Sequence, residues 1–267
     1  VTVDEDADTT SVGVDGITAG LNETQEIRIS ATSSESSLIM DPTVVYTSDN
    51  SNGSLEFKPL SDQFGTTTIT VTVEDGGLDS DFTTPADNLT TTTTFDVIVS
   101  PVNDVPLGDT IPDMTILEEV STSVNVTGLN AGPNENQPLR LSAVSSDPTL
   151  IGNPTIGYTV GDSTGSLNFT PLADQIGTAT ITLTIEDGGL DNNLATPEDN
   201  LTTSSSFDVT VSPVNDLPSQ DTITPVTIAE DAVTKTIDIT GISAGPNETQ
   251  PLFITATSGD TSLFADP

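Results

Sequence analysis

The chain has 267 residues, 41 of them acidic and 4 basic, for a formal net charge of −37. It contains no His, Cys or Trp, which excludes disulfides, thiol and Ser-His nucleophiles and the usual zinc ligand sets. Its basic residues are Arg28, Lys58, Arg140 and Lys235, too few to make a patch for nucleic acid or anionic lipid. What remains is oxygen chemistry, which suits hard cations and above all Ca²⁺. The hydrophobic fraction of 33% is below the globular norm of about 45%, yet the apolar residues fall in strand patterns. No run approaches the roughly 18 apolar residues of a membrane span. There is neither an initiator Met nor a signal-peptide pattern, so a mature or excerpted piece is expected.

The first element ends at Glu5-Asp6. Ala19-Gly20-Leu21-Asn22-Glu23-Thr24-Gln25 follows, then the strand Ile27 to Ala31, with Glu35 beyond it. Asn52-Gly53 is a turn dipeptide before a Ser-Leu-x-Phe strand. Asp62 lies in Pro-Leu-x-Asp-Gln. Ile69 to Val73 alternates branched apolar residues with Thr, the pattern of a half-buried strand. Asp75 closes that strand, and Asp79, Asp81, Asp87 and Asn88 crowd the long loop behind it. Phe95 to Val99 reads as the last strand, and Pro101 to Pro112 as a short, semi-rigid linker carrying Asn103-Asp104.

The set then returns 112 residues on, or 113 for Glu118-Glu119. Glu118-Glu119, the Ala131 to Gln137 segment, the strand Leu139 to Ala143, Asp147, Asp174, the strand Ile181 to Ile185, Asp187, Asp191, Asn193, Asp199, Asn200, the strand Phe207 to Val211 and Asn215-Asp216 repeat the first set. A third copy begins with Glu230-Asp231, Ala244 to Gln250, Leu252 to Ala256 and Asp260. It stops at Asp266-Pro267, the counterpart of Asp41-Pro42. The chain thus holds about 2.4 copies of a unit whose length suits one Ig-like sandwich. The expected fold is all-β, with seven-stranded Ig-like domains placed end to end. The expected repeats are 1–105, 106–217 and an incomplete 218–267. The last is expected to continue beyond the chain or to be completed by a strand of another chain.

The order of these motifs resembles the cadherin repeat and its bacterial cadherin-like relatives. Ala31-Thr32-Ser33-Ser34-Glu35, Leu60-Ser61-Asp62-Gln63, Val73-Glu74-Asp75-Gly76-Gly77, Pro101-Val102-Asn103-Asp104-Val105-Pro106 and Ile116-Leu117-Glu118-Glu119 look like its five successive motifs. The resemblance implies Ca²⁺ at the junctions between repeats. Glu5 or Asp6, Asp62, Asn103 and Asp104 would meet Asp147 and Asp187 at the first junction. Glu118 or Glu119, Asp174, Asn215 and Asp216 would meet Asp260 at the second. Ser33 and Ser145 replace the first Asp of the family's Asp-x-Asp, and Pro101 and Pro213 replace a linker Asp. Fewer or weaker ions per junction are therefore expected. The loop acids Asp75, Asp79 and Asp191 suit a second, local Ca²⁺ site, and they equally suit a solvated turn.

These features point to a structural extracellular protein, a stiff rod or filament rigidified by Ca²⁺ on a bacterial cell surface. The alternative is the stalk of a surface adhesin that binds sugar or protein. The expected partners are other copies or further repeats, head to tail or as a lateral fibre. Glycans are further candidates, through Asn22-Glu23-Thr24, Asn88-Leu89-Thr90 and the Thr90 to Thr94 run. An enzyme is not expected, because the acids recur in every unit whereas an active site is one supported constellation.

Overall fold

Alternation of branched apolar residues with Thr gives this chain its longest elements, because such side chains fit a pleated, half-buried surface. The computed structural model describes residues 1–84, 86–263 and 265. Among them are fourteen strands and no helix. The first seven are β1 (Thr2–Asp4), β2 (Thr10–Asp15), β3 (Ile27–Ser33), β4 (Thr43–Val45), β5 (Asn52–Phe57), β6 (Gly65–Asp75) and β7 (Thr90–Ser100). The second seven are β8 (Met114–Leu117), β9 (Thr122–Val126), β10 (Leu139–Ser145), β11 (Thr155–Gly157), β12 (Gly165–Phe169), β13 (Gly177–Asp187) and β14 (Thr202–Ser212).

Each set makes one four-stranded and one three-stranded sheet, in the orders β1-β7-β6-β3 with β2-β5-β4, and β10-β13-β14-β8 with β11-β12-β9. Most neighbours are antiparallel. The first strand of each set instead runs parallel to the last, Thr2 opposite Ile98 and Met114 opposite Val209. In the first set Ile69, Val71, Val97 and Val99 meet Leu55 and Phe57 of the other sheet, with Leu38 and Ile39 closing the core. Along β6 the alternation predicted for Ile69 to Val73 appears as buried Ile69 and Val71 between half-buried Thr68, Thr70 and Thr72. Truncating a residue such as fully buried Ile69 to Ala costs about 2–5 kcal/mol.

The chain divides into two compact units. The first comprises Val1–Leu107, Asn130–Arg140 and Ile185–Thr203. The second comprises Gly108–Leu129, Leu141–Thr184 and the chain from Ser204 on. The expected third strand, Leu252 to Ala256, is not formed. Its counterparts in β3 and β10 lie against β6 and β13, and no such partner strand stands beside it among the described residues. Phe253 is accordingly 92% exposed. Asp266-Pro267 lies outside the described residues.

Candidate metal centre

In the first unit the parallel pairing of β1 with β7 carries Glu5 to the start of the linker. There Glu5 N–H donates to Ser100 O at 2.9 Å, and Glu5 Oε1 accepts from Val102 N–H at 2.8 Å. Asp6 and Asp62 both adopt the left-handed backbone, at φ 60° and 57°, which a short polar side chain tolerates best. The Asp62 N–H donates to Asp6 Oδ1 at 3.3 Å. Asp104 arrives from the linker, and ligand oxygens of Asp6, Asp62 and Asp104 lie within 4.8 Å of one another.

A loop later in sequence closes over this group. Asp104 N–H donates to Glu135 Oε2 at 3.1 Å, and the Asn134 amide donates to Asp62 O at 2.6 Å. The Gln137 amide donates to Asn103 Oδ1 at 2.9 Å. The Asn103 amide in turn donates to Asp187 Oδ1 at 3.1 Å and to Asp199 O at 2.9 Å. Gly132 lets the linker approach: at φ +152°, a Cβ there would stand 2.8 Å from Asp104 Cβ.

Burial comes first in holding the Glu5, Asp104 and Glu135 carboxyls above the usual range. Neighbouring carboxylates add to it: Asp104, Asp6 and Glu135 around Glu5, Asp62 and Asp6 around Asp104, and Asp104 and Asp187 around Glu135. Asp187 is fully buried. Asp104 Oδ2, Glu135 Oε1, Gln137 Oε1 and Asp187 Oδ2 are all buried without a hydrogen-bond partner. Every one of these orphaned atoms is an acceptor. Burying several such atoms unpaired is costly, and what they lack in common is a donor or a cation. A set made only of carboxylate and amide oxygens fits a hard divalent cation and not a metal that prefers nitrogen or sulfur.

The second unit builds its own version. Glu118 N–H donates to Ser212 O at 3.1 Å, and Glu118 Oε1 accepts from Val214 N–H at 2.8 Å. Glu119 and Asp174 have φ 60° and 57°. Asp216 N–H donates to Glu248 Oε1 at 3.0 Å, the Gln250 amide donates to Asn215 Oδ1 at 3.0 Å, and the Asn247 amide donates to Asp174 O. Glu118 Oε2 and Asp216 Oδ2 are buried and unpartnered. Asp216 is raised by desolvation first, then by Asp174, Glu248 and Glu118. Asn215 turns its amide onto Asp216 O at 3.2 Å.

The first unit thus gathers Glu5, Asp6, Asp62, Asn103, Asp104 and Asp187, and the second gathers Glu118, Asp174, Asn215 and Asp216, with Glu119 beside Glu118. Asp147 and Asp260 serve their own turns, accepting from the backbone and hydroxyl of Thr149 and of Ser262. Those bonds hold both carboxyls below the usual range. The loop acids do likewise. Asp75 Oδ1 accepts from Gly77 and Leu89 N–H, Asp79 from Asp81 N–H and the Thr84 hydroxyl, and Asp191 from Asn193 N–H and the Thr196 hydroxyl. Glu135, Gln137 and their counterparts Glu248 and Gln250 were not among the sequence-based candidates. Their signal was available in Ala-Gly-x-Asn-Glu-x-Gln, present three times.

Residues 103–196 match the family model of the bacterial Ig domain. No curated protein matches the chain. Among solved structures, protocadherin gamma B2 extracellular domains 1–5 align at 14% identity and TM-score 0.43, over 80% of this chain and 42% of that one. Mouse cadherin-23 EC22–24 aligns at 14% identity and TM-score 0.39, over 70% and 55%. Domains 4 and 5 of the S-layer protein SbsC align at 14% identity and TM-score 0.31, over 68% and 75%. The chain therefore spans about half the length of the two cadherin structures. The 112-residue repeat and the two seven-strand sets make the chain a tandem array of all-β sandwich units, within which residues 103–196 match the bacterial Ig domain.

Proposed function

We propose that this chain is part of an extracellular or surface structural protein whose linkers are fastened by Ca²⁺, making a stiff rod of successive repeats. The observation that carries the reading is the set of buried, unpartnered oxygens on Asp104, Glu135, Gln137 and Asp187 beside the Asp6, Asp62 and Asp104 group. Glu5, Asp6, Asp62, Asp104, Glu135 and Asp187 would hold the cation. The ion supplies charge neutralisation and a common ligand for segments distant in sequence, and no reaction is involved. Such a site binds a cation to the folded chain and not to the unfolded one, so it stabilises by mass action. Glu118, Asp174, Asp216 and Glu248 form the second candidate set.

Calorimetric titration of the chelated protein with Ca²⁺ should show saturable binding. X-ray scattering in Ca²⁺ and in EDTA tests the mechanical part. A particle whose maximum dimension and flexibility are the same in both buffers would rule out rigidification.

A further inference from the structure

We infer that the outer face of each unit's four-stranded sheet is a self-complementary surface on which a second copy of this chain docks. A lateral contact of this kind deepens the structural reading above and rests on it for the choice of partner.

The strand register lays this face out in cross-strand rows. In the first unit Ser30, Thr72 and Thr92 stand side by side, and Thr32, Thr70 and Thr94 form the next row. Alternation turns all six outward, because Ala31, Val71 and Val97 on the same strands point into the core. Thr is stiff at χ1 and carries a methyl group beside its hydroxyl. A face of Thr is therefore ordered before contact and offers apolar and hydrogen-bonding groups together. Exposed apolar residues lie on the same face. They are Ile98 on β7, and in the second unit Val144, 55% exposed at the place of Thr32.

Charge marks two opposite corners. Arg28 on β3 stands opposite Glu74 at one end of the rows, and Asp96 on β7 stands opposite Thr68 at the other. Along the strands these ends are about 20 Å apart. Arg28 donates through Nε and Nη2 to Glu74 Oε2. Its side chain is 55% exposed, and further N–H groups of the guanidinium remain for another acceptor. Asp96 Oδ1 accepts from the Thr68 hydroxyl at 2.8 Å. The second unit repeats both corners: Arg140 donates to Glu186 at 2.9 Å, and Asp208 accepts from Thr180 at 2.6 Å. The chain has only 4 basic residues against 41 acids, and Arg28 and Arg140 occupy the same corner of this one face.

A two-fold contact pairs residue i with j and j with i. With its axis in the interface, along the diagonal that avoids both charged corners, Arg28 of each copy meets Asp96 of the other. The hydroxyl rows of the two copies then face each other between the ion pairs. One cation and one anion at opposite corners are matched by the same face turned over. A purely cationic or purely anionic partner meets one corner and is repelled by the other. Three strands about 4.8 Å apart and four rows about 6.8 Å apart span roughly 400 Å². That is about half of the roughly 800 Å² each partner gives to a standard interface. The contact of one face is therefore weak and reversible, between copies whose net charge of −37 opposes closer association.

Sedimentation equilibrium of the full chain, from micromolar to millimolar concentration, is run once in Ca²⁺ and once in EDTA. Reversible self-association is expected in at least one buffer. Arg28→Asp combined with Arg140→Asp should weaken it by about tenfold or more, and so should Asp96→Arg combined with Asp208→Arg. An equimolar mixture of these two variants should regain association, since each corner again meets its opposite. Both variants stay strongly acidic, so attraction between net charges does not produce that recovery. Thr94→Glu combined with Ser206→Glu changes only exposed positions within the face, leaves the fold intact and should weaken association by about tenfold. A chain that is monomeric throughout in both buffers overturns the proposal. So does undiminished association of the variants, or a mixture that associates no better than its components. Binding of a neutral polysaccharide by a monomeric chain, lost in the same variants, would assign the face to that occupant and overturn it as well. Calcium binding is measured separately, so failure here is distinct from failure of the proposed cation site.

Discussion

The two acidic clusters share a scaffold and differ in what completes them. In the first, Asp6 occupies the left-handed position beside Asp62, and Asn103 reaches a fully buried Asp187. In the second, the longer Glu119 holds the equivalent left-handed position. One backbone plan thus carries acidic side chains of two lengths at the same place. The first cluster should therefore bind Ca²⁺ more tightly than the second.

The most severe test is Asp104→Ala. It removes a carboxylate common to the whole first group and should abolish the tighter calorimetric event while leaving the weaker one. Loss of both events together, or of neither, would break the distinction between clusters. Asp187→Ala comes next. It strips the cap from Gly189 and Leu201 N–H and should lower stability by about 2 kcal/mol in EDTA. Asp187→Asn keeps the shape and should instead reduce the Ca²⁺-induced rise in melting temperature.

Acidity offers a smaller, continuous probe. Glu5, Asp104 and Glu135 hold protons more readily in the fold than in the unfolded chain, chiefly through burial. Between the ordinary carboxylate value of about 4 and their raised values, the metal-free fold binds more protons than the unfolded chain. Its melting temperature in EDTA should therefore rise as pH falls from neutral into that window. In Ca²⁺ the trend should invert, since protons then compete with the cation.

Glu119→Asp should move the second cluster toward the first, raising its Ca²⁺ affinity by up to about tenfold, a change of roughly 1.4 kcal/mol. Smallest is Arg140→Ala. The Arg140–Glu186 and Arg28–Glu74 pairs recur at 2.5 Å, with each Arg side chain more than half exposed. Removing either should cost about 0.5 kcal/mol and leave both binding events unaltered, as read by thermal melting and calorimetry.

Strand content was legible because alternation is a one-dimensional signal. Ile69 to Val73 lies within β6, and Phe95 to Val99 within β7. The limit of that signal is Leu252 to Ala256, equally well patterned yet unpaired. A strand is a relation between two segments, and pattern describes only one. Part of the site was legible for the same reason that the repeat was: Asp62, Asn103, Asp104 and Asp187 recur at fixed spacing. Glu135 was not singled out, because it sits in a loop whose Gly, Asn and Glu also read as ordinary turn residues. Asp147 shows the converse. Its place after a strand resembles a ligand position, but a hydroxyl two residues on satisfies its carboxylate locally.

The parallel pairing of the first strand of each set with the last has a mechanical consequence. In such a pair the incoming and outgoing ends of the chain leave from opposite ends of the ladder. Tension applied through the chain then loads that ladder in shear, so its hydrogen bonds must yield together and cannot be opened one after another. Three residue pairs join β1 to β7 and Ile98 N–H also donates to Val1 O at 2.8 Å, so the first clamp spans the same four rungs as β8 and β14. Under a pulling force the two clamps should yield at similar loads.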